Sequence, residues 1–159
     1  MKKTIVYWFF LTTITIIGAC EATNTHAETK EKIEAYSLPE KMAAYYTVVV
    51  AKHDTAMLLM GDIERTQRAL RAVLSQQEGA AKTNVLEALT FLQKADDGMM
   101  TWMHEFKSTA LYEEEYKNLS EAEIEGYLQE EEQKIEQVHV EMSSSIAQGK
   151  ALLEQLNNQ

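Results

Sequence analysis

EKMAAYYTVVVAKHDTAMLLMGDIERTQRALRAVLSQ, Glu40 to Gln76, decides the fold. Within it Met42, Tyr46, Val49, His53, Ala56, Met60, Ile63, Gln67, Leu70 and Leu74 follow one another by steps of four and three. Steps of that size keep residues on one stripe of an α-helix, which turns once every 3.6 residues. Tyr45, Val50, Met57 and Leu59 widen the stripe. The pattern predicts one helix over 40 to 76, a rod about 55 Å long at 1.5 Å per residue. Ser37 and Pro39 stand before it as a start signal, since proline's fixed φ suits the first helical turn and its missing N–H costs nothing there. Gly61 lies inside the stretch at a cost of about 1 kcal/mol relative to alanine, so it marks close packing or a kink.

Outward from this stretch, Gly79 reads as the stop beyond the helix. A second stripe follows in Val85, Leu89, Leu92, Ala95, Met99, Trp102, Met103 and Phe106, predicting a helix over about 82 to 107. Residues 107 to 119, with Glu113, Glu114 and Glu115 between Tyr112 and Tyr116, have no clean period and read as a loop with room for a helical turn. Ser120 with Glu123 three residues on is a capping box, in which hydroxyl and carboxylate each satisfy an orphaned backbone N–H. The third helix, about 121 to 156, carries Ile124, Leu128, Ile135, Val138, Met142, Ile146, Leu153 and Leu156. No one helix can bury such a stripe by itself, so the expectation is an all-α protein, an antiparallel three-helix bundle of coiled-coil type over 40 to 159.

Composition agrees with helix and limits function. The 159 residues include one proline and six glycines, and Lys plus Arg number 15 against 25 Asp plus Glu, for a net charge of −10. Such a chain repels phosphate backbones, and no basic patch with interleaved aromatics offsets the repulsion, so nucleic acid is excluded as a partner.

The N-terminus gives an address. Lys2 and Lys3 precede an apolar run from Ile5 to Ile17, which ends in Ile17-Gly18-Ala19-Cys20 with Glu21 directly after it. That is the layout of a secretory signal peptide, and the run is short for a helix that needs about 20 apolar residues to span a bilayer. The last four residues resemble a bacterial lipobox, whose cysteine receives a diacylglycerol and whose new amino group is acylated. Cys20 is the sole cysteine, so it has no partner for an internal disulfide. Stable anchoring needs more than one acyl chain, a condition this modification meets. The expectation is a signal peptide over 1 to 19, lipidation at Cys20, and a flexible polar tether over 20 to 39. Removing the leader takes Lys2 and Lys3 but no acid, so the mature charge becomes −12.

Chemistry has few footholds. Helical heights place His53, Met57 and Met60 opposite Met99, Met100, Trp102, Met103 and His104, taking residue i of the first helix against about 159 minus i of the second. Thioether and imidazole ligands suit copper, Cu(I) above all. A copper site would therefore draw on His53, Met57, Met60, Met99, Met103 and His104. Packing is the preferred reading of these methionines, because the unbranched side chain fills irregular gaps in cores. Glu136 and His139 form one E-x-x-H, where a di-iron bundle needs two with further inward glutamates. The third helix, aligned at about i plus 68, would hold His139 more than about 20 Å from the methionine cluster. The acidic runs Glu130-Glu131-Glu132 and Asp96-Asp97, and Ser143-Ser144-Ser145, read as solvated helix faces, although Glu131 falls near the seam. No nucleophile sits on a strand-to-helix elbow and no glycine-rich phosphate loop occurs, so the sequence predicts no enzyme and no cofactor other than that candidate copper.

Ala95-Asp96-Asp97-Gly98-Met99-Met100-Thr101-Trp102-Met103-His104-Glu105-Phe106, with His53-Asp54 and Met60-Gly61-Asp62-Ile63, resembles a family of small Bacteroidota lipoproteins often labelled "viral A-type inclusion protein". The resemblance spans about residues 40 to 156 and implies an envelope address and a helical fold, with no catalytic residue. The expected protein is thus a cell-envelope structural or interaction module, facing the periplasm or the exterior, with the outer membrane preferred. It would be held to its membrane through Cys20, and the wide apolar face of the first helix, with Leu58 and Leu59 outside the seam, calls for a protein partner or a second copy.

Overall fold

Residues 38–158 are described by a computed structural model, and every regular element among them is helical. The order is α1 (Glu40–Met57), α2 (Met60–Leu74), α3 (Gly79–Glu105), the short α4 (Glu113–Lys117) and α5 (Glu121–Asn157). The signal peptide, Cys20 and all but the last two residues of the tether lie outside the described residues. No described helix is long and apolar enough to cross a membrane.

The seven-residue repeat that organises the sequence also organises the core. Met42, Val49, Ala56, Ile63 and Leu70, every seventh residue, are buried. In α3 the buried positions Val85, Ala88, Leu92, Ala95, Met99 and Trp102 alternate steps of three and four, and α5 contributes Ile124, Leu128, Ile135, Met142 and Ile146. α5 packs against α1, α2 and α3, and α2 also packs closely on α3. Direction follows from cross-helix pairs. Lys41 meets Glu125, Lys52 meets Glu132 and Glu136, and Asp62 meets Lys150, so α1 and α2 run the same way as α5. Lys94 meets Glu141, while Phe106 at the far end of α3 meets Tyr127, so α3 runs the opposite way.

The expected single rod over 40 to 76 is instead two helices. Leu58 N–H donates to Thr55 O at 3.3 Å and Leu59 N–H to Ala56 O at 2.9 Å, the shorter loop of a 3₁₀ turn. The Thr55 hydroxyl donates back to Ala51 O at 2.9 Å, a contact that bends helices. Both leucines keep right-handed helical angles, so the repeat passes through the break and Ala56 and Ile63 face the same core.

Gly79 also differs from expectation. It adopts φ 55°, the left-handed region that favours glycine, but as the first residue of α3 and not as the stop of the preceding helix. The capping box is present as read: Glu123 N–H donates to Ser120 Oγ at 3.4 Å and Ser120 N–H to Glu123 Oε2 at 2.8 Å.

Two polar assignments are corrected. Glu131, read as solvated, is 2% exposed, and Ser145, read as surface, is 4% exposed. Both fall on the α5 stripe, and neighbouring helices close over them. Ser145 satisfies its hydroxyl on Met142 O at 3.0 Å, a local bond open to a helical serine.

Candidate functional site

Helical height places the candidate residues, and α5 sets a different height from the one expected. Ion pairs and hydrogen bonds join residues of α1 and α2 to residues 80 to 88 further on in α5, instead of 68. The cause lies at the turn between α3 and α5. α5 begins beyond the end of α3, with Phe106 and Lys107 already lying against Tyr127. The intervening loop folds onto that overhang through tyrosine hydroxyls: Tyr127 accepts from Lys107 N–H, Tyr116 donates to Lys107 O, and Tyr46 accepts from Thr109 N–H. His139 consequently stands beside Lys52 and Thr55, at the height of the methionine cluster and not far from it along the axis. The height argument against a shared site therefore falls.

His53 meets α3 as expected. Its ring stacks on Trp102 with centroids 5.2 Å apart and planes 23° apart, and Trp102 stacks in turn on Phe106 at 4.6 Å. His53 Nδ1 lies 3.0 Å from Asp54 Oδ1; in the Nδ1–H tautomer the exposed carboxylate accepts that proton and Nε2 carries a lone pair. That Nε2 is buried and has no partner among the described residues. Met99 is fully buried, and Met57, Met60 and Met103 are half-buried against the same core. His104 and Met100 are exposed, so the structure does not bring them into the group. Among the described residues no three His, Cys, Asp or Glu side chains converge in the manner of a metal cage.

Glu131 lies in the same half of the molecule. Lys134, one turn on, donates to its Oε1 at 2.7 Å, while Oε2 is buried without a partner among the described residues, as is Trp102 Nε1. A buried polar atom left unpaired costs about 1–3 kcal/mol, so this level of the core is destabilised relative to an apolar one. Tyr116 and Tyr127 are both titration-shifted upward, first by burial and further by the negative charge of Glu131. The only sign of this arrangement legible in the sequence is a glutamate near the seam.

On the outer seam between α1 and α5, Lys52 bridges Glu132 and Glu136 at 2.8 and 2.6 Å, and the Tyr45 hydroxyl donates to Glu132. The Lys52 and Tyr45 hydrogen bonds hold the Glu132 carboxyl below the usual range. The hydrogen bond to Glu132, with burial and then the carboxylate's charge adding to it, in return pushes the Tyr45 phenol up to about 12.

A second feature lies between α3 and α5. Trp102, Val138 and Gly98 floor a solvent-open trough of about 520 Å³, rimmed by Thr101, Glu105, Glu130, Gln133, Lys134 and Gln137. The sequence reading missed it, because a groove between two helices is set by their spacing and not by either pattern.

The described residues are therefore all-helical, with three of their four unpaired buried polar atoms, on His53, Trp102 and Glu131, in the α1 half and the fourth, Gln67 Nε2, on α2. Compared with family models, with curated proteins and with solved structures, the chain matches none.

Proposed function

We propose that this chain is a lipid-anchored helical module of the bacterial cell envelope, an antiparallel three-helix bundle of coiled-coil type that binds another protein. The observation that carries the reading is Ile17-Gly18-Ala19-Cys20, which places the sole cysteine directly after a basic and apolar leader. The seven-residue core repeat and the cross-helix ion pairs support the bundle. The resemblance to small Bacteroidota lipoproteins supports the address, with the outer membrane preferred. The tether from Glu21 to Pro39 sets the distance of the helices from the membrane, and no catalytic role is proposed.

The test is metabolic labelling of cells with an alkyne fatty acid. The full chain takes the label and the Cys20→Ser variant does not. Equal labelling of the two, or none of the wild type, refutes the anchor.

A second reading is copper binding, favoured by the His53 geometry. An imidazole that donates one N–H to a carboxylate and keeps the other nitrogen bare is oriented as metal-bound histidines are, and thioethers of Met57, Met60, Met99 and Met103 share its core. Untagged full chain loaded with Cu(I) and assayed by inductively coupled plasma mass spectrometry would retain metal that His53→Ala loses. No retained copper ends this reading.

A further inference from the structure

We infer that the trough between α3 and α5 is the docking groove for a basic amphipathic α-helix of a partner protein. The inference rests on the interaction-module reading and names the face and the partner's chemistry.

The floor is apolar and specific in shape. Trp102 and Val138 form it together with Gly98. Gly98 lies deep inside α3, where glycine costs about 1 kcal/mol relative to alanine, and a Cβ built on it would meet only Val138 Cγ2, at an ordinary 3.9 Å. Packing within the chain thus does not require glycine there. What the missing side chain does is keep the trough open. One turn beyond Glu130, toward the start of α5, Gly126 is a second helix-interior glycine with nothing within 4 Å of its would-be Cβ.

The rim selects the charge. Lys134 is engaged by buried Glu131, whereas Glu105 and Glu130 make no ion pair among the described residues. Lys134 stands within coulombic reach of both, so the trough offers two carboxylates against one lysine that Glu131 already holds, a net negative rim beside an apolar floor on a chain of net charge −10. A complementary surface is apolar along one face with Lys or Arg at its flanks. An open trough between two antiparallel helices takes an elongated partner better than a small molecule, which needs most of its surface enclosed, and a helix laid in a groove is the recurring solution. A second copy is a poor occupant: it is equally acidic, and its Arg65 and Arg68 are paired within α2 to Asp62 and Glu64. Anionic membranes and nucleic acid are repelled by the same carboxylates.

The test uses the full chain in phosphatidylcholine nanodiscs, with empty discs as the blank. The probe is an 18-residue Leu/Lys peptide whose leucines follow i, i+3, i+4, i+7, followed by isothermal titration calorimetry. Gly98→Leu, which fills the floor, and the double variant Glu105→Lys with Glu130→Lys, which reverses the rim, should each weaken binding about tenfold or more. Gly98→Ala serves as the folding control by circular dichroism. Glu87→Lys with Glu154→Lys makes the same charge change elsewhere on the exposed surface and should leave affinity within about twofold, since binding energy concentrates in a few residues. No binding by wild type, or equal binding by the groove variants, overturns the groove. If the wild-type chain and the Glu105→Lys, Glu130→Lys chain then recover the same envelope protein in cross-linking, the module reading stands without this groove. Recovery of no protein by either removes the module reading as well.

Discussion

The two ends of the helical core are built differently. Around α2 the backbones approach closely: a Cβ placed on Gly149 of α5 would lie 2.6 Å from Thr66 Cγ2 and 3.4 Å from Leu92 Cδ1. Around α1 the space toward α3 is filled by large rings, with His53 on Trp102, Trp102 on Phe106, and Phe106 beside Tyr46 and Tyr127. α2 packs on α3 as a principal contact, and α1 packs principally on α5. The close end buries Thr66, Gln67 and Ser145 and satisfies all their polar atoms but Gln67 Nε2; the wide end holds His53 Nε2, Trp102 Nε1 and Glu131 Oε2, none of them paired among the described residues. Polar atoms left unpaired in a core are a local conflict of the kind proteins tolerate at functional positions. On the proposed reading, the α2 end carries stability and the α1 end carries recognition.

Substitution at the close end should have the larger effect. Gly149→Ala gains about 1 kcal/mol of helix propensity, but it drives a methyl into Thr66. The net expectation is a loss of about 1–3 kcal/mol in urea unfolding, the range for an overpacked core. A gain in stability would show that α2 and α5 are free to move apart, and the contrast would lose its rigid half.

At the wide end the sign should reverse. Glu131→Leu removes a buried carboxylate and leaves Lys134, which is half-exposed, to solvent. Replacing a buried charge by an apolar side chain is often neutral or stabilising, so thermal unfolding should shift upward by up to about 2 kcal/mol equivalent. A marked destabilisation would show that Glu131 holds the wide end together and is no local conflict. The smallest effect belongs to Gly98→Ala, where added helix propensity of about 0.5–1 kcal/mol meets no clash.

How much of this was legible in sequence depends on the range of the interaction. The Ser120 and Glu123 capping box is a contact across three residues, and it was readable because its chemistry is local. The seven-residue core was readable for the same reason, since period is a property of one helix. The break at Leu58 and Leu59 was not, because the 3₁₀ turn changes the backbone bonding without disturbing the hydrophobic period. Burial of Glu131 and Ser145 was hidden as well: whether a polar residue on the stripe meets water is decided by helices distant in sequence. That His53 lies at the height of Trp102 followed from helical rise, but the stacking of their rings did not; nor did the position of His139, because the overhang of α5 beyond α3 depends on how the tyrosines fold the loop back.

The address is the claim on which the proposed role depends, and mass spectrometry of the chain extracted from membranes tests it most directly. The account predicts an N-terminal peptide beginning at Cys20, carrying a diacylglycerol on sulfur and an acyl chain on nitrogen. An N-terminal peptide beginning at Met1, or one with a free thiol at Cys20, would contradict it.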